Sequence, residues 1–292
     1  VDYQCIFPTL SNTAACYHTK LFSTSPKAKI SGGYYVEITP ENALEQSRKM
    51  VAAAVDNYPN RNPDRVLIPD KPVDAMVGFS VESIKNALGG SLQPLLDAVL
   101  SGKIRGCAGI VGCNNPHIKH DYGHVTLAKE LIKRDVLCVE TGCSSIACAK
   151  AGLMQPESIE QAGKGLKEVC GSLGIPPVLH MGSCVDNTRI LNLVAELARL
   201  AKVRIDQLPV VGAAPEWYSP KAVAIGSYFV GTGVSVCLGV MPHIGGSPNV
   251  VKMLTEDLDQ AVHAKFWVEP NPKNAVALMY DHIETKRKAL GI

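Results

Sequence analysis

Three cysteines in this chain each end an apolar run and stand before a stretch of helical spacing. Cys113 closes IRGCAGIVGC, Cys143 closes VLCVETGC, and Cys184 closes PPVLHMGSC. Each follows a small residue and is followed within three positions by asparagine or serine. In a parallel α/β sheet the strand ends converge on one edge, at the crevice where ligands bind. Thiols gathered there sit in front of helix N-termini, which favour thiolate over thiol. Thiolate sulfur suits soft metals and iron–sulfur units. The chemistry is therefore that of a soft-metal or iron–sulfur centre, with redox-inert loop thiols as the plainer alternative. Cys5, at the end of VDYQC, is a fourth candidate, while Cys16 has no such placement. Cys107, Cys138, Cys148, Cys170 and Cys237 lie within apolar periodic stretches and read as small core residues.

Lys221 is the cation to set beside them. It follows Ser219-Pro220, a capping pair that starts a helix, so it falls in a first turn after a strand. A lysine there opposes the helix dipole, a mild cost that fits either an anion- or proton-handling role or a solvated side chain. His117, His120 and His124 form a run without the H-E-x-x-H arrangement of zinc enzymes. They read as a structural pair or a polar lid over the cysteine edge. His180 reads as a buried, hydrogen-bonded residue, and His18 and His243 as loop residues. No G-x-G-x-x-G or Walker pattern occurs, which argues against a nucleotide-binding protein.

The elements that must position these residues alternate from about Leu92 onward. Helices are expected at Leu92–Ser101, His124–Arg134, Cys143–Leu153 and Glu157–Leu173, then through Ile190, Leu191, Val194, Leu197 and Ala201, and from Ser219-Pro220. Strands are expected at Ile104–Val111, Val136–Glu140, Val178–Met181, Leu208–Ala213, VSVCLGV and KFWVE. Ser247-Pro248, Asn271-Pro272 and Thr39-Pro40 mark further helix starts. Residues 77–292 thus read as one doubly wound, mostly parallel (Rossmann-like) α/β domain. Residues 1–76, with the strand VDYQCIF, a short strand near Tyr34–Ile38, a helix at about Pro40–Val55 and a turn-rich linker, read as the tail of a preceding α/β domain. Val1 opens directly into a strand, which reads as a chain cut from something longer.

Composition narrows the class. The 292 residues are 46% hydrophobic but only 5% aromatic, so the core is aliphatic, as parallel strands covered on both faces require. A net charge of +2, without a basic stripe or interleaved aromatics, excludes a nucleic-acid or anionic-membrane binder. No apolar run reaches the roughly 18 residues of a membrane span. Ten cysteines in so large a helical chain are core residues or ligands rather than a disulfide framework, and a reducing cytoplasm is expected.

DYQCI, GCAGIVGCNNP, TGCSSIACAKAGLM, HMGSCVDN, and APEWYSPKAVAIG followed by YFV resemble the nickel-containing anaerobic carbon monoxide dehydrogenases, in that family's order. The resemblance covers essentially the whole chain, as the C-terminal part of a family member. It implies reversible oxidation of CO with water to CO2, protons and electrons at a nickel–iron–sulfur cluster of the Ni-4Fe-4S type. By motif, Cys5, Cys113 and Cys143 resemble the thiolates on cluster irons and Cys184 the thiolate on nickel. Lys221 resembles the lysine that hydrogen-bonds the bound carboxylate and assists proton movement, and Ile225 an apolar residue lining the gas pocket. The family also uses an upstream histidine and cysteine, and a cysteine-rich helical region that carries electrons and joins two subunits. Implied partners are a ferredoxin-like electron acceptor, a second copy in the full-length enzyme, and acetyl-CoA synthase. The rival expectations are a hybrid-cluster, hydroxylamine reductase-like enzyme, against which GCNNP and EWYSPKAVAIG argue, and a metal-free scaffold fragment.

Overall fold

The aliphatic runs pair side by side in the computed structural model, which describes residues 20–26, 29, 31–65, 68, 70 and 72–292. The expected strand at VDYQCIF, with Cys5, Cys16 and His18, lies outside the described residues. The chain divides into two units between Pro72 and Val73. In the first, β1 (Leu21–Ser23) pairs in parallel with β2 (Gly33–Tyr35), and Phe22 stacks on Tyr34 with ring centroids 5.1 Å apart. Helix α1 (Ala43–Asn57) begins after Asn42 rather than at Thr39-Pro40. Asn42 Oδ1 accepts the Thr39 N–H at 2.8 Å, which ties the Thr-Pro pair into a turn ahead of the helix.

The second unit opens with α2 (Val81–Ala87), capped by Ser80, and α3 (Gln93–Leu100). Then come β3 (Gly106–Ile110), α4 (Tyr122–Ile132), β4 (Val136–Thr141), α5 (Gly142–Lys150), α6 (Lys164–Leu173), β5 (Val178–Gly182) and α7 (Asn187–Ala201). The rest is β6 (Val210–Ala214), α8 (Pro220–Gly231), β7 (Val236–Leu238), α9 (Pro248–Lys252), α10 (Leu258–Val262), β8 (Phe266–Val268) and α11 (Pro272–Leu290). The expected helix Glu157–Leu173 is broken. Pro156–Gln161 is a 3-10 turn, and α6 starts afresh because Asp135, on the loop between α4 and β4, accepts the Leu166 N–H at 2.7 Å and caps it from a distance.

Six strands form one parallel sheet in the order β5-β4-β3-β6-β7-β8. The chain steps outward from β3 to β5, returns past β3 to β6, and then runs outward the other way. The reversal falls between β3 and β6, in register from Cys107–Val210 to Ile110–Ala213. Their carboxyl ends therefore flank the crevice of a doubly wound sheet. Every residue of β4 and β6 is buried, as expected of strands covered on both faces. Cys138, Cys148, Cys170 and Cys237 are in the core, and Cys107 packs against it; burial pushes Cys107, Cys170 and Cys237 up to about 12.

One polar side chain spans this core. Arg287, on α11, is 1% exposed and donates through Nη1 to the carbonyls of Val99 at 2.9 Å, Ile104 at 3.3 Å and Arg105 at 3.2 Å. These carbonyls belong to the end of α3 and the lead-in to β3, so the last helix holds the first strand of the sheet in place.

Candidate metal centre

At the mouth of β3 the chain must turn away from a fully buried strand. Gly112, at φ +110°, makes that turn, which a side chain would oppose both by conformation and by pressing to 3.3 Å from Ala214 Cβ. Cys113 follows, half-buried with a free thiol. The loop beyond it is fastened to Glu216, just past the end of β6. The Asn114 amide donates to Glu216 Oε2 at 3.1 Å and to Asp121 Oδ1 at 2.9 Å. The Asp121 and Gly123 N–H groups donate to Glu216 at 3.1 and 2.7 Å. The Asn115 amide donates to the Trp217 carbonyl at 3.0 Å. His124 is fully buried on α4, with Nε2 2.8 Å from the Cys113 carbonyl, and burial holds its pKa below the ordinary value.

At the mouth of β4, Gly142 adopts φ +63° and α5 begins at once, so Cys143 sits in its first turn and is exposed. Its sulfur receives the Asn114 backbone N–H, but partial burial and the neighbouring Cys113 thiol raise its pKa. The helix start therefore does not produce a ready thiolate here, contrary to the expectation from placement alone. Three residues before Cys143, Glu140 is buried beneath α5, taking hydrogen bonds from Ser144 Oγ at 3.1 Å and Cys148 Sγ at 3.2 Å. Burial pushes Glu140 up to about 8.

At the mouth of β5, Cys184 opens a one-turn 3-10 segment whose cap is Ser183 with Asp186. The Asn187 amide donates to the Cys184 carbonyl at 3.0 Å, while Asn187 Oδ1 accepts the Thr141 hydroxyl. Lys221, in the first turn of α8, points Nζ at Cys184 Sγ, 3.3 Å away, and burial lowers its pKa from the usual lysine value. Ser219 caps α8 by accepting the Lys221 N–H at 3.3 Å. Ile225, one turn further along, is half-buried against the core.

Two pairs are thus in contact or near it, Cys184 with Lys221 and Cys113 with Cys143. The loops interlock, since a Cβ on Gly142 would stand 3.1 Å from Cys184 Cβ. Among the described residues no three His, Cys, Asp or Glu side chains converge tightly enough to grip an ion by themselves. The donor chemistry nonetheless fits a sulfur-ligated centre: thiols on three adjacent strand mouths, with a cation against one of them.

The histidines follow expectation only in part. His117 and His120 are exposed and precede α4, whereas His124 points inward from it, so His120 and His124 share no helix face. His180 lies on β5 half-buried, not fully buried; its backbone carbonyl accepts the Phe79 N–H at 3.0 Å, but its ring Nδ1 meets no hydrogen-bond partner among the described residues. His243 is exposed in the loop before α9. Sequence reading passed over Glu216 and Asn114. The only signal for Glu216 is an acidic residue lodged between an apolar strand and the Ser219-Pro220 cap.

The Prismane/CO dehydrogenase family profile matches residues 1–273. Carbon monoxide dehydrogenase 1 of Methanosarcina mazei is 54% identical over 292 residues, which are all of this chain and 46% of that protein. The carbon monoxide dehydrogenase/acetyl-CoA synthase subunit beta of Moorella thermoacetica is 35% identical, again over the whole chain and 46% of that protein. The Ni-free crystal structure of carbon monoxide dehydrogenase from Thermococcus sp. AM4 superimposes with a TM-score of 0.92 at 54% identity, covering 99% of this chain and 46% of that one. The chain thus spans about half the length of the relatives it matches. Among the described residues, no helix is long and apolar enough to cross a membrane.

Proposed function

We propose, from the premise that this chain belongs to the Prismane/CO dehydrogenase family, that it is the C-terminal portion of an oxidoreductase interconverting CO and CO2 (CO + H2O to CO2 + 2 H+ + 2 e−). The observation that carries the reading is the 3.3 Å contact between the Lys221 ammonium and Cys184 Sγ, on a sheet edge that also bears Cys113 and Cys143. Cys113, Cys143 and Cys184, with Cys5 outside the described residues, would hold a nickel–iron–sulfur cluster, Cys184 serving nickel and the others iron. When bound, that cluster supplies the two-electron redox chemistry. Residues 77–292 would form the cluster-binding domain, and residues 1–76 the end of the domain before it.

The chain's own groups account for the rest. The raised Cys143 pKa is no obstacle, because a coordinating metal deprotonates a thiol outright. Lys221 brings a positive charge and a transferable proton to the Cys184 sulfur, and its lowered pKa eases release of that proton. A cation fixed in a partly desolvated site also stabilises negative charge developing on substrate oxygen without reorganising water. Ile225, on the same helix, contributes apolar surface that limits water at the sulfur. Electrons would leave to a ferredoxin-like acceptor, in an assembly that includes a second copy of the full-length enzyme and, as the Moorella relative's name has it for that protein, acetyl-CoA synthase. The relatives' names favour this reading over a hybrid-cluster enzyme.

The test is nickel, iron and acid-labile sulfide per chain on protein purified without oxygen, with CO oxidation measured alongside. Cys184→Ala is expected to abolish nickel retention, and Lys221→Ala to keep the metals while slowing turnover at least tenfold, on the order expected for a lost acid–base group. Full CO oxidation with Cys184 replaced, or absence of all three elements from the unaltered chain, defeats the assignment.

A further inference from the structure

The carboxylate of Glu216 is 1% exposed, yet among the described residues no lysine or arginine pairs with it. Instead it collects N–H donors from the loop that carries Cys113 and from the first turn of α4 behind it: the Asn114 amide at 3.1 Å, the Asp121 backbone at 3.1 Å and the Gly123 backbone at 2.7 Å. The His124 ring stands 3.9 Å from it and reaches the Cys113 carbonyl through the same Nε2. Burying a carboxylate is costly unless its acceptor positions are filled, so this cluster repays its burial only in one geometry. That geometry also sustains strain, because Asp121 sits at φ +64°, a region few residues other than glycine adopt. Glu216 itself leaves β6 five residues ahead of Lys221, and its neighbour Trp217 is fixed by Nε1 donating to the Val240 carbonyl at 2.7 Å.

We propose that Glu216 is a positioning residue: it bridges the crevice between β3 and β6 and fixes the Cys113 loop relative to the loop that leads to Lys221. The inference rests on the reading of Cys113 as a metal-holding thiol only for its functional meaning, not for the geometry. The Cys184 thiol, in the 3-10 turn beyond β5, is instead in contact with Lys221 Nζ at 3.3 Å. Loosening Glu216 therefore frees Cys113 selectively, whereas a general loss of packing frees every thiol.

The experiment is competitive alkylation of the metal-free chain with iodoacetamide, read cysteine by cysteine by peptide mass spectrometry. Glu216→Gln keeps the volume but turns an N–H donor toward the Asn114 amide or the backbone donors. It is expected to raise the alkylation rate of Cys113 relative to Cys184 roughly tenfold, as loss of one buried charge-assisted hydrogen bond allows. Asn114→Ala, which deletes a single bond from a half-buried side chain and is expected to fold, raises the same ratio about threefold. An unchanged ratio in both variants overturns the proposal, and so does a parallel rise at Cys184 and the core residue Cys138. Loading with ferrous iron and sulfide then separates the two readings. A variant that loses iron in proportion to its freed Cys113 supports both. An unaltered chain that takes up no iron defeats the metal centre, while the alkylation ratio still decides the clamp.

Discussion

The loops bearing Cys113 and Cys184 do the same job at two strand mouths and are built in opposite ways. The Cys113 loop is secured from beneath, by Glu216 and His124, both shut off from solvent. The Cys184 loop is secured mostly from outside: the Ser183 N–H donates to Asp186 at 2.8 Å, and Arg189 pairs with the same carboxylate at 3.0 Å, all at the surface. Its inner fastening is Asn187, which joins the Cys184 carbonyl to Thr141 on β4. Buried hydrogen bonds to charged groups contribute about 1.5–3 kcal/mol each, and exposed ones a fraction of that. The Cys113 loop therefore rests mainly on buried fastenings and the Cys184 loop mainly on exposed ones.

The largest effect should come from the strand mouth between these loops. Glu140 titrates near 8 in the fold, against 4.5 without burial. Below pH 4.5 both folded and unfolded chains carry the proton and the group contributes nothing. As pH rises from there to about 8 only the unfolded chain ionises, so stability falls by about 1.4 kcal/mol per pH unit, and it levels off above the folded pKa. Glu140→Gln can still accept from Ser144 and should flatten that slope. Urea unfolding midpoints at pH 5 to 9 measure it; parallel curves for both proteins would mean that Glu140 is ionised in the fold. Next in size is His124→Leu, which orphans the Cys113 carbonyl and should cost about 2–3 kcal/mol in the same measurement. If it cost less than the surface change that follows, the contrast between the loops would collapse. The smallest effect is Asp186→Ala, under about 1 kcal/mol for an exposed cap, accompanied by faster amide exchange at Ser183 and no change at Asp121.

Much of this was legible in the residues. Unbroken apolar runs bounded by glycine gave the parallel strands, and the cysteines immediately after them could be assigned to one edge without coordinates. Ser219-Pro220 and Asn271-Pro272 marked true helix starts, with Ser219 and Asn271 both accepting N–H bonds. What escaped was whatever depends on a partner far along the chain. The break at Gln161 comes from Asp135, and the orientation of His124 comes from a carbonyl eleven positions earlier on another element. Glu216 escaped for the same reason, since a lone glutamate beside a proline reads as surface until the donors around it are seen. The cost of burying Glu140 is also invisible in a pattern that shows only one acidic residue closing a strand.

Arg287 has a consequence in time rather than in space. It gathers carbonyls that lie as much as 188 positions ahead of it, so the strand that enters the sheet first is held by the described helix that leaves the ribosome last. Vectorial synthesis presents β3, β4 and β5 long before that fastening exists, and contacts this distant in sequence form late and slowly. The amino end of β3 is thus fastened only when α11 docks.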